Sequence, residues 1–562
     1  MSDALPLHHT HPGAASAAPP KMKRFAPGAT VDFVIVGSGS AGGVLARELS
    51  RAGHSVIVLE QGPWLTTADF KHDELAVGDR HMLTNDPKTQ PTTFRETEAD
   101  VAKLKPWAQY GRVVGGGSVH FSANFWRFPE LEFDQATRFG VPDGSSIADW
   151  PIKYADLEPY YTKVEWEVGV SGLAGNPFEP PRRKGYPMPP LPIKSEGALM
   201  EIGAKKLGWH PWPAPMAILS QPYRGRGACL ACGFCFGMGC EANAKGSTLV
   251  SMIPAALATG RCEIRPNSYV RRVETGANGR VTGVAYFDKD KREVFQKAKA
   301  VVLAANGMET PKLLLLSATP NFPQGLANSS GMVGRNIMFN GFVMSSAAFD
   351  QPVNGWKGVV ASRVVWDQVL MPKESGLYGG GGFDLRSMMM PVAAGMFTPG
   401  WGRDWKKNAR TLLSNSVYAA GHETQLPVLT NRIDLDPTVK DAWGLAVPRL
   451  TFKTHANDLA MDKWFLARGR ELLEAAGGKN IVDVFPGPSD NGPHLLGTCR
   501  MGKDPSSSVV DADHRAHDVP NLFIVDGSSL VTGGRGQPTM TIMALAFRAG
   551  ARINALAKAG KI

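Results

Sequence analysis

Two constellations in this 562-residue chain have the residue types and spacing to do chemistry. One is Cys229-Leu-Ala-Cys232-Gly-Phe-Cys235-Phe-Gly-Met-Gly-Cys240, which places four of the six cysteines in a C-x2-C-x2-C-x4-C run. Thiolates this close can converge on one inorganic centre, and the glycines between them supply turns and N–H groups to the sulfurs. An iron-sulfur cluster, a structural zinc, and free or disulfide-bonded thiols remain open on spacing alone. A disulfide framework is poorly supported, because cysteines with two residues between them bridge with strain and no signal peptide accompanies them. Cys262 and Cys499 stand apart and read as buried structural residues. The other constellation is Gly37-Ser-Gly39-Ser-Ala-Gly42. Gly37 permits a tight turn, Gly39 lets the backbone approach a pyrophosphate, and Gly42 lets a helix pack closely on a strand.

The elements that must position the glycine turn flank it. Val34, Ile35 and Val36 form an apolar run short enough for a buried parallel strand. Val44, Leu45 and Leu49 carry a helical pattern, and Val56 to Leu59 form a second strand ending in Glu60. Strand, glycine turn, helix, strand and acid together predict a bound dinucleotide: the helix N-terminus faces two phosphates and Glu60 falls where a carboxylate binds ribose hydroxyls. A position near the start of a long chain favours FAD over NAD.

Composition bounds the remaining possibilities. With 43% hydrophobic and 20% charged residues the chain reads as globular, and its length suffices for two domains with separate cores. The net charge of +10 is scattered and no nucleic-acid motif accompanies it, so nucleic acid is not an expected partner. No apolar run approaches the roughly 18 residues of a membrane span. The first thirty residues lack an apolar signal core and a twin-arginine pair, so the chain is expected to carry no export signal of its own. Residues 1–29 read as a disordered tail in which His8, His9 and His11 are solvated rather than metal-bound.

Farther along stands Gly111-Arg-Val-Val-Gly115-Gly116-Gly117-Ser118-Val119-His120, followed by Asn124 and Trp126-Arg127. Successive glycines before Ser118 let backbone N–H groups crowd against a phosphate or a planar ring. With the N-terminal fingerprint, this loop resembles that of the glucose-methanol-choline (GMC) family of flavoprotein oxidoreductases, in which it lies against the flavin. The resemblance spans Val31 to Ile553, with the FAD segments in the family's order. His120 stands where some relatives carry a histidine bonded covalently to the flavin; the alternative is a ring stacked near it. Val301 to Ala305 with Asn306-Gly307 matches the family's second signature, a strand and turn returning to the dinucleotide. By the same resemblance Val270 touches the adenine, and Asp526-Gly527 and Pro538-Thr539 complete the FAD contacts. Pro538 also suits the first turn of a helix running to Ala557, whose N-terminus can aim partial positive charge at the flavin.

The resemblance also assigns the catalytic pair. His494, followed by Gly497-Thr498, resembles the family's catalytic histidine. The second catalytic position, eleven residues beyond Asp526, is Gln537 in place of His or Asn. An amide can orient a hydroxyl but cannot act as a base, which concentrates proton transfer on His494. Met338-Phe339-Asn340 departs from the family's Met-Asp-His, so no role is carried over to it. The cysteine run resembles that of flavoprotein subunits of membrane-bound gluconate, fructose and glucose dehydrogenases, which carry a [3Fe-4S] cluster beside FAD and pass electrons to a cytochrome subunit.

These observations predict a discontinuous Rossmann-like FAD domain (30–127, 225–340 and 484–558) and an antiparallel-sheet substrate domain (128–224 and 341–483). Asn431 to Pro448 is expected in the sheet flooring the substrate cavity, and the polar stretch from Glu60 to about Lys105 as a cover over the cofactor. The implied reaction is oxidation of a sugar, polyol or sugar-acid hydroxyl by hydride transfer to flavin N5, with electrons leaving through the cluster to a cytochrome c or quinone. A small export subunit would then carry the protein to the periplasmic face of the membrane; the same residues are compatible with a cytoplasmic enzyme. The alternatives are an oxidase or dehydrogenase of aliphatic or aromatic alcohols with a zinc knot in place of a relay cluster and, outside redox catalysis, a flavoprotein-fold lyase or a non-catalytic subunit.

Overall fold

A computed structural model describes residues 21–105, 110–387, 390–490 and 492–562. The histidine-bearing start of the tail, Met388 and Met389 lie outside the described residues.

The first sheet is built around Val31–Val36, which pairs in parallel with Val56–Leu59 on one side and Glu293–Leu303 on the other. Cys262–Arg265 and Leu522–Ile524 extend it in parallel at either end of this group. Both faces of these strands are covered, so they read as unbroken apolar runs instead of alternating ones. Tyr269–Thr275, Val281–Phe287 and Glu293–Leu303 form an antiparallel meander on the same sheet. The helix Ser40–Arg51 follows the glycine turn and packs against the last helix, Thr539–Lys558.

The second sheet is antiparallel, in the order Lys479–Phe485, Gly341–Ala348, Ser416–Glu423, Gly381–Arg386, Ala361–Val365, Trp212–Pro213. Ser416–Glu423 is buried at every residue because it has strands on both sides and the helix Ala456–Ala475 against it. Its next-to-last residue, His422, lies against Gln537.

One expectation is corrected. Arg432–Lys440 and Ala446–Thr451 do not join this sheet; they pair with each other and with Thr92–Arg95 and Lys103–Lys105 as a separate four-stranded sheet. The expected cover segment thus supplies two strands, held by Thr93 Oγ1 donating to Asp436 at 2.7 Å and by Phe94 packing on Ile433, Leu450 and Phe452. Tyr154–Val168 lies in the stretch expected to form the substrate domain. This helix packs on Thr539–Lys558, with the buried Tyr161 and Thr541 hydroxyls 2.7 Å apart.

Candidate active site

A cavity of about 490 Å³ opens at the C-terminal end of the Val31–Val36 strand. This is the place where a doubly wound sheet binds ligands. The glycine turn forms one wall. Gly37 has φ +94°, and a Cβ there would stand 2.5 Å from the Ala304 carbonyl oxygen. A Cβ on Gly116 would stand 2.7 Å from the Gly39 Cα, so the two glycine loops touch through bare backbone. Gly42 does not line the cavity. Its Cβ would fall 2.0 Å from the Gly37 carbonyl oxygen, so it serves helix–strand contact.

Around the cavity the predicted cofactor residues fall into three groups. Gly37, Gly39, Gly116 and Gly117 present main chain. Glu60, Ser118 and Asp526 also line it, but their oxygens tie the walls together. Glu60 accepts from the Ser38 N–H and hydroxyl at 3.1 and 2.7 Å and from Gly62 N–H at 2.9 Å. Burial raises its pKa against the pull of those donors. Ser118 donates to the Gly115 carbonyl at 2.6 Å, and Asp526 accepts from Asn306 N–H and the Thr310 hydroxyl at 3.1 and 2.6 Å. Val270, Ala305, Gly527, Pro538 and Thr539 complete the lining. Asn124 is not among the lining residues: its amide donates to Asp384 at 2.9 Å, turned toward the second sheet.

The cavity suits FAD in two respects. The helices beginning at Ser40 and Thr539 both start at its wall, and neither has a side-chain cap or an acid in its first turn. Their free N–H groups and dipoles favour an anionic ligand. His120 lines the cavity with Nε2 buried and unpartnered, and burial lowers its pKa to about 4.

At the other end stand His494 and Gln537. Burial, reinforced by the neighbouring His422, pushes the His494 pKa down to about 3, so the ring is neutral across ordinary pH. Asn340, given no role from sequence, lies with its amide nitrogen 3.5 Å from His494 Nδ1 and donates at 2.6 Å to the Gly536 carbonyl. It therefore joins the histidine to the Gln537 segment. Behind Gln537 lies a second histidine that sequence reading missed, His422, with Nδ1 3.2 Å from the Gln537 amide nitrogen. Its signal in the sequence was slight, a lone His in an apolar strand.

Cys229, Cys232, Cys235 and Cys240 border one small cavity of about 20 Å³, all as free thiols. In kind they suit a thiolate-held centre. Among the described residues, however, no three donors stand at metal-ligand spacing. Lys245 is buried beside them, donating to the carbonyls of Phe121, Cys235 and Met238 at 2.9, 2.8 and 2.7 Å. Its neighbouring ionisable groups are the thiols of Cys235, Cys240 and Cys232, and among the described residues no carboxylate pairs with it. Burial raises the thiol pKa of Cys235 to about 12 in this arrangement.

A parallel sheet with a glycine cradle, two open helix ends and a neutral buried histidine defines a dinucleotide-dependent oxidoreductase. The chain belongs to the GMC oxidoreductases: residues 31–340 match the family's N-terminal domain and residues 427–546 its C-terminal domain. It is thus an FAD-dependent oxidoreductase of CH–OH groups. It is similar to 2-methyl-1,2-propanediol dehydrogenase of Mycolicibacterium austroafricanum, with 33% identity over 92% of this chain and 94% of that one. It is also similar to the gluconate 2-dehydrogenase flavoprotein of Pantoea cypripedii, with 30% identity over 92% of each chain. In fold it resembles formate oxidase, at 16% identity with a TM-score of 0.63 over 95% of this chain and 100% of that chain.

Proposed function

We propose that this enzyme dehydrogenates a hydroxyl of a small polyhydroxylated compound: a sugar, sugar acid, polyol or vicinal diol. One observation carries the reading: His494 and Gln537 line the same cavity as the glycine cradle. Bound FAD supplies the hydride acceptor. Neutral His494 accepts the hydroxyl proton, and Asn340 beside Nδ1 limits rotation of its ring. Gln537 donates an amide hydrogen to the oxygen as negative charge gathers on it. The named relatives act on a diol and on gluconate, which supports an aliphatic polyol and a sugar acid about equally. The test is dye-linked reduction with D-fructose, D-gluconate, glycerol, 2-methyl-1,2-propanediol and 1-octanol, with oxygen uptake followed in parallel. Turnover of 1-octanol alone would overturn the polyol reading.

The finer parts of the proposal concern attachment and electron exit. His120 Nε2 is the candidate for a covalent bond to the flavin, supported by its unpartnered position on the cavity wall. Complete release of yellow colour on acid precipitation would exclude the bond. Cys229, Cys232, Cys235 and Cys240 are proposed to hold an iron-sulfur cluster, which when bound would supply single-electron transfer toward a cytochrome or quinone. Their shared cavity and the unpaired ammonium of Lys245 support this, because thiolates and a cluster are the anions that such a cation balances. Iron and acid-labile sulfide far below one cluster per chain after anaerobic purification would reject it. Attachment to the periplasmic face through a partner subunit belongs to the same proposal; among the described residues no helix is long and apolar enough to cross a membrane.

A further inference from the structure

Gln537 is an unusual choice for a position beside a developing alkoxide. A glutamine side chain is longer and freer than the residue it replaces, and an amide helps only if its hydrogen faces the reacting oxygen. The structure contains a device that removes this freedom. His422 ends the buried strand Ser416–Glu423 and is 4% exposed, with its ring edge-on to Trp126 at 5.4 Å. Its Nε2 lies 3.0 Å from Asp384 Oδ2 on the adjacent strand, paired with it in register at Gly382↔His422 and Asp384↔Ala420. Burial alone would raise the Asp384 pKa, but Arg386 and His422 hold it well below the ordinary carboxylate range. Arg386 forms two close bonds to that carboxylate, and its Nη2 also lies 3.0 Å from His422 Nε2. Asn124 donates to the same oxygen at 2.9 Å.

The charges decide the ring's state. Arg386 matches Asp384, so His422 is not required as a cation, and burial lowers its pKa against the pull of Asp384. A neutral ring that donates Nε2–H to the carboxylate has a bare Nδ1. The Gln537 amide nitrogen lies 3.2 Å from Nδ1 and 3.5 Å from Nε2, so it meets the ring across both nitrogens with the bare Nδ1 the nearer. Contact with the ring restricts rotation of the carboxamide while Gln537 stays on the cavity wall.

We propose that His422, oriented by Asp384, is the positioning residue that aims the Gln537 amide at the substrate oxygen. Asp384, His422 and Gln537 form a line from the second sheet to the cavity, and the line restores to an amide the fixed direction that a short catalytic side chain has by itself. The inference rests on the reading of Gln537 as a substrate-oxygen donor.

The test uses holoenzyme and the rate of flavin reduction by whichever panel alcohol reduces it fastest. Phenylalanine keeps the ring volume but has neither nitrogen, whereas asparagine can place its amide oxygen where His422 Nδ1 stands. His422→Phe is expected to slow flavin reduction by about 10- to 100-fold with flavin content and Tm retained. His422→Asn is expected to stay within about threefold of wild type. In a Gln537→Ala background, His422→Phe should change the rate by less than about threefold, because its effect passes through the missing amide. Full-size slowing in that background, equal slowing by His422→Asn, or loss of flavin from His422→Phe would each overturn the inference. If Gln537→Ala alone leaves flavin reduction unchanged, the reading of Gln537 itself fails. That outcome is distinct from an impaired Gln537→Ala enzyme in which the two effects simply add.

Discussion

The two ends of the cavity are made of different materials. The cofactor end is backbone: Gly37, Gly39, Gly116 and Gly117 bring bare main chain together, and its side chains are engaged in holding the loops in place. The substrate end is side chain: His494, Asn340, Gln537 and His422 meet in a buried polar network anchored on the Asp384–Arg386 pair. The first depends on the absence of volume, the second on the direction of hydrogens. Substitutions at the two ends should therefore fail in different ways, one by loss of cofactor and the other by loss of rate with the cofactor retained.

The largest effect is expected at the cofactor end. Gly37→Val adds a branched side chain at φ +94°, where even a Cβ meets the Ala304 carbonyl oxygen at 2.5 Å. Relieving the clash moves the turn away from the phosphates. Flavin occupancy of the purified variant, read from the ratio of flavin to protein absorbance, should fall at least about tenfold. A variant with full occupancy would show that the cradle does not depend on this contact.

His494→Ala should do the reverse: flavin content is kept, and flavin reduction by substrate falls by roughly 10² to 10⁴. The wild-type pH profile sharpens the point. A free histidine would lose its basic form below about pH 6.5. With the pKa lowered to about 3 by burial, His494 remains a base at pH 5, and the reduction rate should show no inflection attributable to it between pH 8 and about 4. A drop centred near 6.5 that disappears in His494→Ala would place the ring in a far wetter setting than this one.

This contrast in materials also explains what could be read before the fold was known. Gly37, Gly39, Gly42 and Glu60 lie within 24 consecutive residues, and the strand and helix they need are written beside them. Local spacing therefore specified the cradle and the first sheet. The substrate end combines residues 124, 340, 384, 386, 422, 494 and 537, brought together only by sheet register and domain contact. His494 and Gln537 were found through family resemblance, while His422 carried no pattern of its own. Asn340 was set aside because it broke a template, although its amide links His494 to the Gly536 carbonyl. The small sheet was missed for a related reason. Thr92–Arg95 is short and polar enough to read as a loop, and its pairing with Arg449 to Thr451 spans more than 350 residues.

The smallest expected effect on chemistry lies one residue beyond His422. Because side chains alternate along a strand, Glu423 faces the other side of the sheet, where Asp458 and Asp462 of the helix Ala456–Ala475 meet it. Here no cation balances the acids among the described residues, in contrast to the Asp384–Arg386 pair on the cavity side. Burial raises the Asp458 pKa to about 8, opposed in part by the N–H of Leu426. The folded protein therefore binds more protons than the unfolded chain between about pH 4 and 8, and stability falls as pH rises through that window. Asp458→Asn keeps an oxygen for Leu426 and removes the titration. Its Tm should exceed that of wild type at pH 9, by an increment on the order of a few kcal/mol in stability, and the advantage should shrink toward pH 5. Flavin reduction should be unchanged, since Asp458 touches none of the groups around the cavity. A Tm difference that is the same at pH 5 and pH 9 would mean that the carboxyl is ionised in the fold, and the two faces of the strand would then differ in charge pairing without differing in protonation.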